Sequence, residues 1–177
     1  MLTTLLATTL LASPAALQQD FRWSGTLAAG RTIEIVGVNG DIEATPASGR
    51  TVEVTATKRG RRSDPADVEI RVVEHGNGVT ICAVYPSRDD RPNECREGGR
   101  GRNNTGNNDV AVHFRVRVPA GVHFTGITVN GGVDARGIQG AVKTVTVNGS
   151  IDLETTGHAE ATTVNGSIVA RMGRTDW

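Results

Sequence analysis

Aromatic side chains are scarce in this 177-residue chain, where Phe, Tyr and Trp make up 3% of the residues. Large aromatic rings contribute much of the thick core of a globular domain, so their scarcity argues against such a core. Glycine, in contrast, is frequent at 22 residues. This composition is typical of a turn-rich β-protein with a thin interior of Val, Ile and Ala, and the length suits one domain or slightly more.

An excess of charge of either sign is also absent, because 19 basic residues balance 19 acidic ones. A neutral chain lacks the field that attracts nucleic acid to a protein. The basic turn at residues 58–62 has no interleaved aromatic residues for base stacking, and we interpret it as a solvated hairpin tip. We therefore expect no nucleic-acid partner.

Long hydrophobic runs are missing, and a membrane-spanning helix needs about 20 apolar residues, so we expect a chain that does not span the membrane. Residues 1–19 resemble an export signal, with leucines among Ala and Thr and small residues at Ser13 and Ala15 for cleavage. The Lys or Arg that usually precedes the apolar run is lacking. The sequence predicts a signal peptide at 1–19 and a mature domain at 20–177, located in the periplasm, at the cell surface or outside the cell.

Only two cysteines are present, Cys82 and Cys95. Four-coordinate zinc is disfavoured because there is no third Cys and no His between them. In an exported chain such a pair is most simply a disulfide, with two free thiols as the alternative. We expect no metal and no cofactor, although the polar loop 86–109 leaves calcium binding open through its carboxylates, which are Asp89, Asp90, Glu94 and Asp109.

A short motif recurs through the C-terminal half of the chain. Thr-Val-Asn-Gly occurs three times, and a more distant copy, Gly-Val-Asn-Gly, lies upstream. The asparagines of the three close copies are 18 and then 17 residues apart. A nearly constant short period indicates a repeat architecture. The four asparagines are Asn39, Asn130, Asn148 and Asn165.

The alternation of side chains suggests how each repeat folds. Asn-Gly between alternating runs usually signals a β-hairpin, but a two-residue hairpin would place Val147 opposite Ser150 and mix apolar with polar positions. A chain that bends at Gly149 and continues keeps the apolar residues 145, 147, 151 and 153 on one face. We therefore predict an all-β, single-stranded β-solenoid with repeats of 17–18 residues. A meander with three-residue bulged loops is the alternative.

In such a solenoid, equivalent residues of successive coils stack about 4.8 Å apart. Asn130, Asn148 and Asn165 would then form a hydrogen-bonded ladder along one corner. The glycines that follow them are expected to supply backbone angles with positive φ. We interpret all six residues as structural rather than ligand-binding; the three glycines are Gly131, Gly149 and Gly166.

Residues 51–118 are predicted to contain strands and the disulfide-tied loop, and we interpret the short alternating runs in 51–85 as antiparallel or edge strands capping the solenoid. The clearest single strand of the chain is predicted at residues 110–118. Repeat coils are expected from 120 to 177, where the chain stops a few residues into a coil. Because terminal repeats need a cap, we expect either truncation at the C-terminus or a covering chain, including end-to-end self-association.

Several of these residues carry a resemblance. The segments 37–44 and 118–121 and the recurrent Val-Asn-Gly-Ser-Ile resemble a bacterial family of exported, repeated β-strand domains of unknown function, often labelled putative adhesin. The resemblance covers most of residues 25–177 and implies a β-solenoid exported to the envelope or surface. The matching motifs are structural and specify no catalytic residue.

Two carboxylates are the only candidate catalytic pair. Asp134 and Asp152 occupy the same repeat position, so they are expected about one strand spacing apart. Such a pair can hydrolyse glycosides, which makes a carbohydrate-active enzyme the alternative function; two solvated charges are the simpler interpretation. The four histidines are scattered and accompany no nucleophile motif. The sequence predicts a non-catalytic adhesin-like or scaffold module that binds envelope polysaccharide or protein through its surface.

Overall fold

A computed structural model describes residues 18–173. Within this range the chain forms thirteen β-strands and two short 3-10 helices, Pro65–Asp67 and Glu97–Gly99, with no α-helix. The all-β class is confirmed. The predicted signal peptide, apart from the start of the first strand, and residues 174–177 lie outside the described residues.

The strands are short, and most alternate between apolar and polar residues, as expected for sheets with one buried face. In chain order they are β1 Gln18–Thr26, β2 Thr32–Val36, β3 Ile42–Pro46, β4 Thr51–Arg59, β5 Glu69–His75, β6 Gly78–Val84, β7 Ala111–Val118, β8 His123–Ile127, β9 Val133–Ile138, β10 Val142–Asn148, β11 Ile151–Thr155, β12 Ala159–Asn165 and β13 Ile168–Met172.

The strands form two mixed sheets. Sheet A has seven strands in the order β1-β4-β7-β3-β9-β11-β13, and sheet B has six in the order β12-β10-β8-β2-β6-β5. Their buried side chains join into one hydrophobic cluster, which is built largely of Val, Ile and Ala, and Phe114 and Phe124 are its largest fully buried side chains. The core therefore contains residues of both sheets.

Most neighbouring strands run parallel. In sheet A the parallel run is β7-β3-β9-β11-β13, and in sheet B it is β6-β2-β8-β10-β12. Antiparallel strands lie at one end only, where β4 and β1 extend sheet A and β5 extends sheet B. From β7 onward each strand belongs to the sheet that the previous strand does not. Repeats therefore add one strand to each sheet in turn.

The order of strands in space differs from their order along the chain. β6 and β7 pair with β2 and β3, so the segment 78–118 lies on the far side of β2 and β3 from the C-terminal repeats. Within residues 51–85, β4 and β5 run antiparallel to their neighbours, and β6 pairs antiparallel with β5 and parallel with β2, so β6 lies inside sheet B rather than at its edge.

The predicted apolar face is wrong for the strand that precedes each Asn-Gly. In β10 the buried side chains are Val142, Thr144 and Thr146, whereas Val147 is 36% exposed and faces outward. Beyond the Asn-Gly, Ile151 and Leu153 are buried as expected. The inward and outward positions thus exchange at the Asn-Gly, and threonine rather than valine faces the core before it.

Candidate functional site

Each Asn-Gly lies where a strand of sheet B ends and the chain turns toward the next strand of sheet A, and we call this turn the corner. The corner asparagines form a continuous chain of side-chain hydrogen bonds. Each Nδ2 donates to the Oδ1 of the preceding repeat at 2.9 Å, from Asn165 to Asn148, from Asn148 to Asn130 and from Asn130 to Asn39. The distant upstream copy of the motif is therefore part of the same row. These amides bond to one another.

The corner glycines are required by close approach of the backbone. A Cβ on Gly149 would lie 2.0 Å from the carbonyl oxygen of Gly131, and one on Gly131 would lie 2.1 Å from that of Gly40. Gly166 makes the same approach to Gly149. Positive φ was expected at all three repeat glycines, but Gly131 and Gly149 do not have it. At these two positions glycine is required because a Cβ would clash with a carbonyl oxygen, and not because φ is positive.

The corner threonines were missed by sequence reasoning as members of this arrangement. Each donates its hydroxyl to the corner glycine carbonyl of the preceding repeat, Thr128 to Gly40 at 3.1 Å, Thr146 to Gly131 at 2.8 Å and Thr163 to Gly149 at 2.9 Å. The signal was present, because Thr stands two residues before Asn in all three close copies. The corner thus ties successive repeats together through Thr, Asn and Gly.

The carboxylates proposed for catalysis lie in a row across the outer face of sheet A. Glu43, Asp134 and Asp152 are neighbours in register on β3, β9 and β11. Arg136 donates to both aspartates at 2.9 Å. Arg171 binds Asp152 at 2.6 Å and Arg115 binds Glu43 at 3.1 Å, which completes an alternating row of charges. We call these six residues the charge row.

The two aspartates have opposite pKa shifts. Burial raises the pKa of Asp134, and the nearby Asp152 and Glu43 carboxylates add to this against the opposing charge of Arg136. Burial would also raise the pKa of Asp152, but hydrogen bonds from Arg136 and Arg171 outweigh it and the pKa is lowered. An acid and a base of different pKa can share a glycosidase site. Because one oxygen of each carboxylate accepts from the same nitrogen of Arg136 at 2.9 Å, these two oxygens lie no more than about 6 Å apart, a limit that includes the separation of about 5 Å in retaining glycosidases.

Access to this pair is nevertheless restricted by Arg136. Its guanidinium lies between the two carboxylates, where the scissile bond of a glycoside would have to bind. The groove there is shallow and lined by residues of the corner and the charge row, among them Asp41, Gly132 and Ser150. The arrangement is therefore suited to holding strands in register and to presenting charged groups at regular spacing.

A second polar cluster lies on the outer face of sheet B. His75 contacts Glu97 through Nδ1 at 2.9 Å and Thr80 through Nε2 at 3.1 Å, which has the order carboxylate, imidazole and hydroxyl of a catalytic triad. However, Thr80 is 0% exposed and donates its hydroxyl to buried Glu34 at 2.7 Å. Glu34 also accepts from the backbone N–H of Gly98 at 2.8 Å. The cluster therefore fastens the loop 86–109 to the sheet.

The disulfide between Cys82 and Cys95 is present and fixes the same loop. Asn93 donates to the carbonyl of Tyr85 at 3.0 Å, and the Tyr85 hydroxyl donates to Val110 at 2.8 Å. Burial raises the pKa of Tyr85 to about 12. The loop is thus anchored at its middle and at both ends.

Three of the four loop carboxylates considered for calcium are engaged in separate contacts. Asp89 pairs with Arg102, Glu94 pairs with Arg96, and Asp109 accepts from the backbone N–H of Ser63 at 2.9 Å. Hydrogen bonds from Ser63 and Arg62 lower the pKa of Asp109 to about 2. Across residues 18–173, no group of three or more His, Cys, Asp or Glu is arranged to hold a metal ion.

An apolar row continues along the outer face of sheet B. Val129, Val147 and Val164 directly precede the corner asparagines, and the neighbouring Ile127 faces the same way. The loop covers the start of this row and encloses a cavity of about 270 Å³ over Ile127 and Val129. Exposure then rises to 36% at Val147 and 70% at Val164.

Comparisons with known proteins give structural neighbours at low identity. A putative cell adhesion protein from Clostridium sporogenes ATCC 15579 has a TM-score of 0.42 and 6% identity, covering 87% of this chain and 100% of its own. A putative adhesin from Bacteroides fragilis NCTC 9343 has a TM-score of 0.31 and 10% identity, covering 86% and 97%. A putative lipid binding protein from Parabacteroides distasonis ATCC 8503 has a TM-score of 0.27 and 10% identity, covering 85% and 62%.

No protein-family model matches the chain, and no curated protein matches it. The family resemblance therefore stays a prediction. In the part of the chain that the structure describes, no helix is long and apolar enough to cross a membrane.

Proposed function

We propose that this chain is an exported, non-catalytic, adhesin-like module, a single-stranded β-solenoid that binds envelope polysaccharide or protein through its outer faces. The observation that carries the proposal is the in-register parallel stacking of repeats in two sheets, which presents equivalent side chains at one strand spacing, about 4.8 Å. A surface of this kind suits a polymeric or extended partner, since the surface and such a partner both present chemical groups at regular intervals.

The solenoid interpretation is supported by the path of the chain. Five strands of each sheet run parallel, and successive strands from β7 onward alternate between the sheets. The corner contacts join equivalent atoms of successive repeats. In this proposal each coil consists of one strand of sheet B, a corner and one strand of sheet A, and the antiparallel strands β1, β4 and β5 close one end.

The contacts and burial of the candidate catalytic side chains favour a binding role over catalysis. Arg136 separates the two aspartates, and the hydroxyl of the triad-like cluster is buried under the loop. The charge row remains useful for binding, because a guanidinium has five N–H donors and its carboxylate partners accept further bonds. Sugar hydroxyls both donate and accept, so we assign the outer face of sheet A as the polysaccharide-binding surface.

Export is supported by the disulfide between Cys82 and Cys95, since such bonds persist outside the cytoplasm. The expected location is the periplasm, the cell surface or the medium.

The proposal is tested by depletion of the purified protein from solution with cell-wall preparations and a panel of polysaccharides, while released reducing ends are assayed in the same supernatants. We expect depletion without release. The double variant Arg136→Ala/Arg171→Ala should lose most of the depletion. The control Arg50→Ala/Arg61→Ala, which makes the same charge change at exposed sites elsewhere, should keep it.

One result would overturn the proposal, and a second would narrow its ligand class. Release of reducing ends that is lost in Asp134→Asn would establish the carbohydrate-active enzyme instead. Absence of depletion by every polysaccharide would rule out that ligand class, and binding to envelope proteins would then be measured with the same pair of double variants.

A further inference from the structure

A groove lies between the end of β1 and the hairpin that joins β5 to β6. Its volume is about 440 Å³, within the range of small-molecule sites, which is roughly 300–1,000 Å³. It is lined by residues 23–26 of β1, by the turn that leads into β2 and by residues 74–76 of the hairpin. Gln18, where the described chain begins, lies at the opposite end of β1, paired with Arg59.

One wall of the groove is an aromatic ring, in a chain that has few. Among the described residues, Tyr85, Phe114 and Phe124 are buried in the core, and the other two aromatic side chains, Phe21 and Trp23, are only partly buried. Trp23 lines the groove and Phe21 does not. A ligand in this groove would therefore meet the indole of Trp23.

The position of this indole is set by the glycine two residues further along β1. A Cβ on Gly25 would lie 2.6 Å from Cζ2 and 2.7 Å from Cη2 of Trp23, so the ring packs over the bare backbone of Gly25. The indole N–H donates to no acceptor within residues 18–173. No buried side-chain N or O among those residues lacks a partner, so this N–H is exposed. The groove thus contains a positioned ring with a free donor.

Two charged side chains in the groove are also free. Arg31 precedes β2 and Glu74 lies near the end of β5, and neither side chain has a hydrogen bond or ion pair within the described part of the chain. The charge row differs, because each of its six members is bound to another. His75 also lines the groove, but its ring nitrogens are bonded to Glu97 and Thr80. The groove therefore presents one free guanidinium and one free carboxylate.

We propose that this groove binds an uncharged hexopyranose sugar, stacked on Trp23 and hydrogen-bonded by Arg31 and Glu74. The C–H groups on one face of such a sugar are weakly positive and pack against the negative face of an indole. Its hydroxyls accept from a guanidinium and donate to a carboxylate. The two opposite charges balance, so the groove favours a neutral sugar over a uronic acid or a protonated amino sugar.

A nucleotide fits the groove less well. Its base could stack on the indole, but its phosphate needs positive charge, and the one arginine of the groove is balanced by Glu74. The site is also separate from the polysaccharide surface assigned above. Trp23 pairs with buried Val54, on the face of sheet A opposite to the charge row.

The experiment is an NMR titration of the purified protein with the methyl glycosides of glucose, galactose and mannose, in which the indole N–H signal of Trp23 is followed. The chain has two tryptophans, and Trp177→Phe assigns the signal. We expect a saturable shift with at least one of these neutral glycosides. Glucuronic acid and glucosamine, which are charged, should bind more weakly.

The double variant Arg31→Ala/Glu74→Gln removes the two free charged groups, which are exposed and have no partners to lose. It should weaken binding by about tenfold or more. The control Arg61→Ala/Asp67→Asn makes the same charge changes at exposed positions outside the groove and should leave binding unchanged.

A second variant moves the ring and keeps both charges. In Gly25→Ala the new Cβ would clash with the indole of Trp23, so the ring must shift. Binding should weaken by about tenfold or more. Gly49→Ala, where nothing lies within 4 Å of a Cβ, should bind as the parent chain does. Circular dichroism should be the same for both variants.

Absence of a shift in the Trp23 signal with every glycoside would overturn the proposal. Equal weakening by Arg61→Ala/Asp67→Asn would do so too, as would tighter binding of a charged sugar than of the neutral ones. These outcomes are separate from those for the surface of sheet A. Arg136→Ala/Arg171→Ala should lose most of the depletion by polysaccharide and leave the shift of the Trp23 signal unchanged.

Discussion

At each corner, three side chains contact the preceding repeat, and each does so in a different way. Asparagine bonds to asparagine, threonine donates to a glycine carbonyl, and glycine allows that carbonyl to approach. These contacts explain why a buried hydroxyl is tolerated in a thin apolar core. A buried polar group is costly only when it has no partner, and Thr146 has one.

Removal of that partner should therefore be measurable. Thr146→Val keeps the side-chain shape but leaves the carbonyl of Gly131 without its donor, which should destabilise the fold by about 1–2 kcal/mol. The control Thr162→Val makes the same change at an exposed position on β12 and should alter stability by no more than about 0.5 kcal/mol. Urea unfolding of both variants checks this. Equal costs would mean that the hydroxyl contributes nothing.

Substitution of Gly149 should destabilise the fold more than substitution of Thr146, because the backbone of the preceding repeat lies close to it. In Gly149→Ala the new Cβ would lie 2.0 Å from the carbonyl oxygen of Gly131, so the backbone of one repeat must shift. We expect a loss of more than about 2 kcal/mol. Gly49→Ala is the matched control, because nothing lies within 4 Å of a Cβ there. Thermal melts that give the two variants the same stability would contradict this reason for the glycine.

At the scale of the elements, the repeat spacing predicted which residues become neighbours. Asn130, Asn148 and Asn165 align because identical side chains can bond only when the repeats stack in register. The face of the preceding strand was not predictable from the pattern. Thr146 and Val147 are both β-branched and similar in size. Which of them faces the core depends on an acceptor for the Thr146 hydroxyl, the Gly131 carbonyl, that only the stacked structure supplies.

The position of β6 and β7 in the sheets was also not predictable from the sequence. These strands follow β2 and β3 in the chain but lie on their far side in the sheets. Such pairings join distant segments, and no local motif encodes them. The triad-like cluster around His75 was missed for the same reason, because its members come from β2, β5, β6 and the loop.

The loop should depend on its disulfide. Cys82→Ala/Cys95→Ala should lower the free energy of unfolding by about 3 kcal/mol in the chain-entropy account. Hydrogen exchange should accelerate at the Gly98 amide, which binds Glu34, and remain slow at the amide of Asn148. Adding reductant to the variant provides the control, since it should change nothing further. Unaltered exchange at Gly98 would mean that the polar contacts alone hold the loop.

Asp109 should make the attachment of the turn 60–64 dependent on pH. Its pKa falls from 3.8 to about 2 in the folded chain. A lowered folded-state pKa stabilises the fold above the unfolded-state value and loses that effect as pH falls toward the folded-state value. The stability difference between the parent chain and Asp109→Asn should therefore be largest above pH 3.8 and shrink toward pH 2. Urea unfolding at several pH values checks this, and a constant difference would contradict it.

At the scale of the whole molecule, the stacked sheets form an array in which each repeat contacts only its neighbours. The stability of such an array is approximately a sum over adjacent contacts, and its ends open most readily. One end is closed by β1, β4 and β5, and the other ends at β12 and β13. The chain should therefore open preferentially from its C-terminal repeat.

Amide hydrogen exchange can follow this opening. In dilute protein we expect the slowest exchange in β8 and β9, at the centre of the stack, and the fastest strand exchange in β12 and β13. If exchange from β12 and β13 is instead as slow as that from β8 and β9, the last described repeat is stable by itself and the expected direction of opening is wrong.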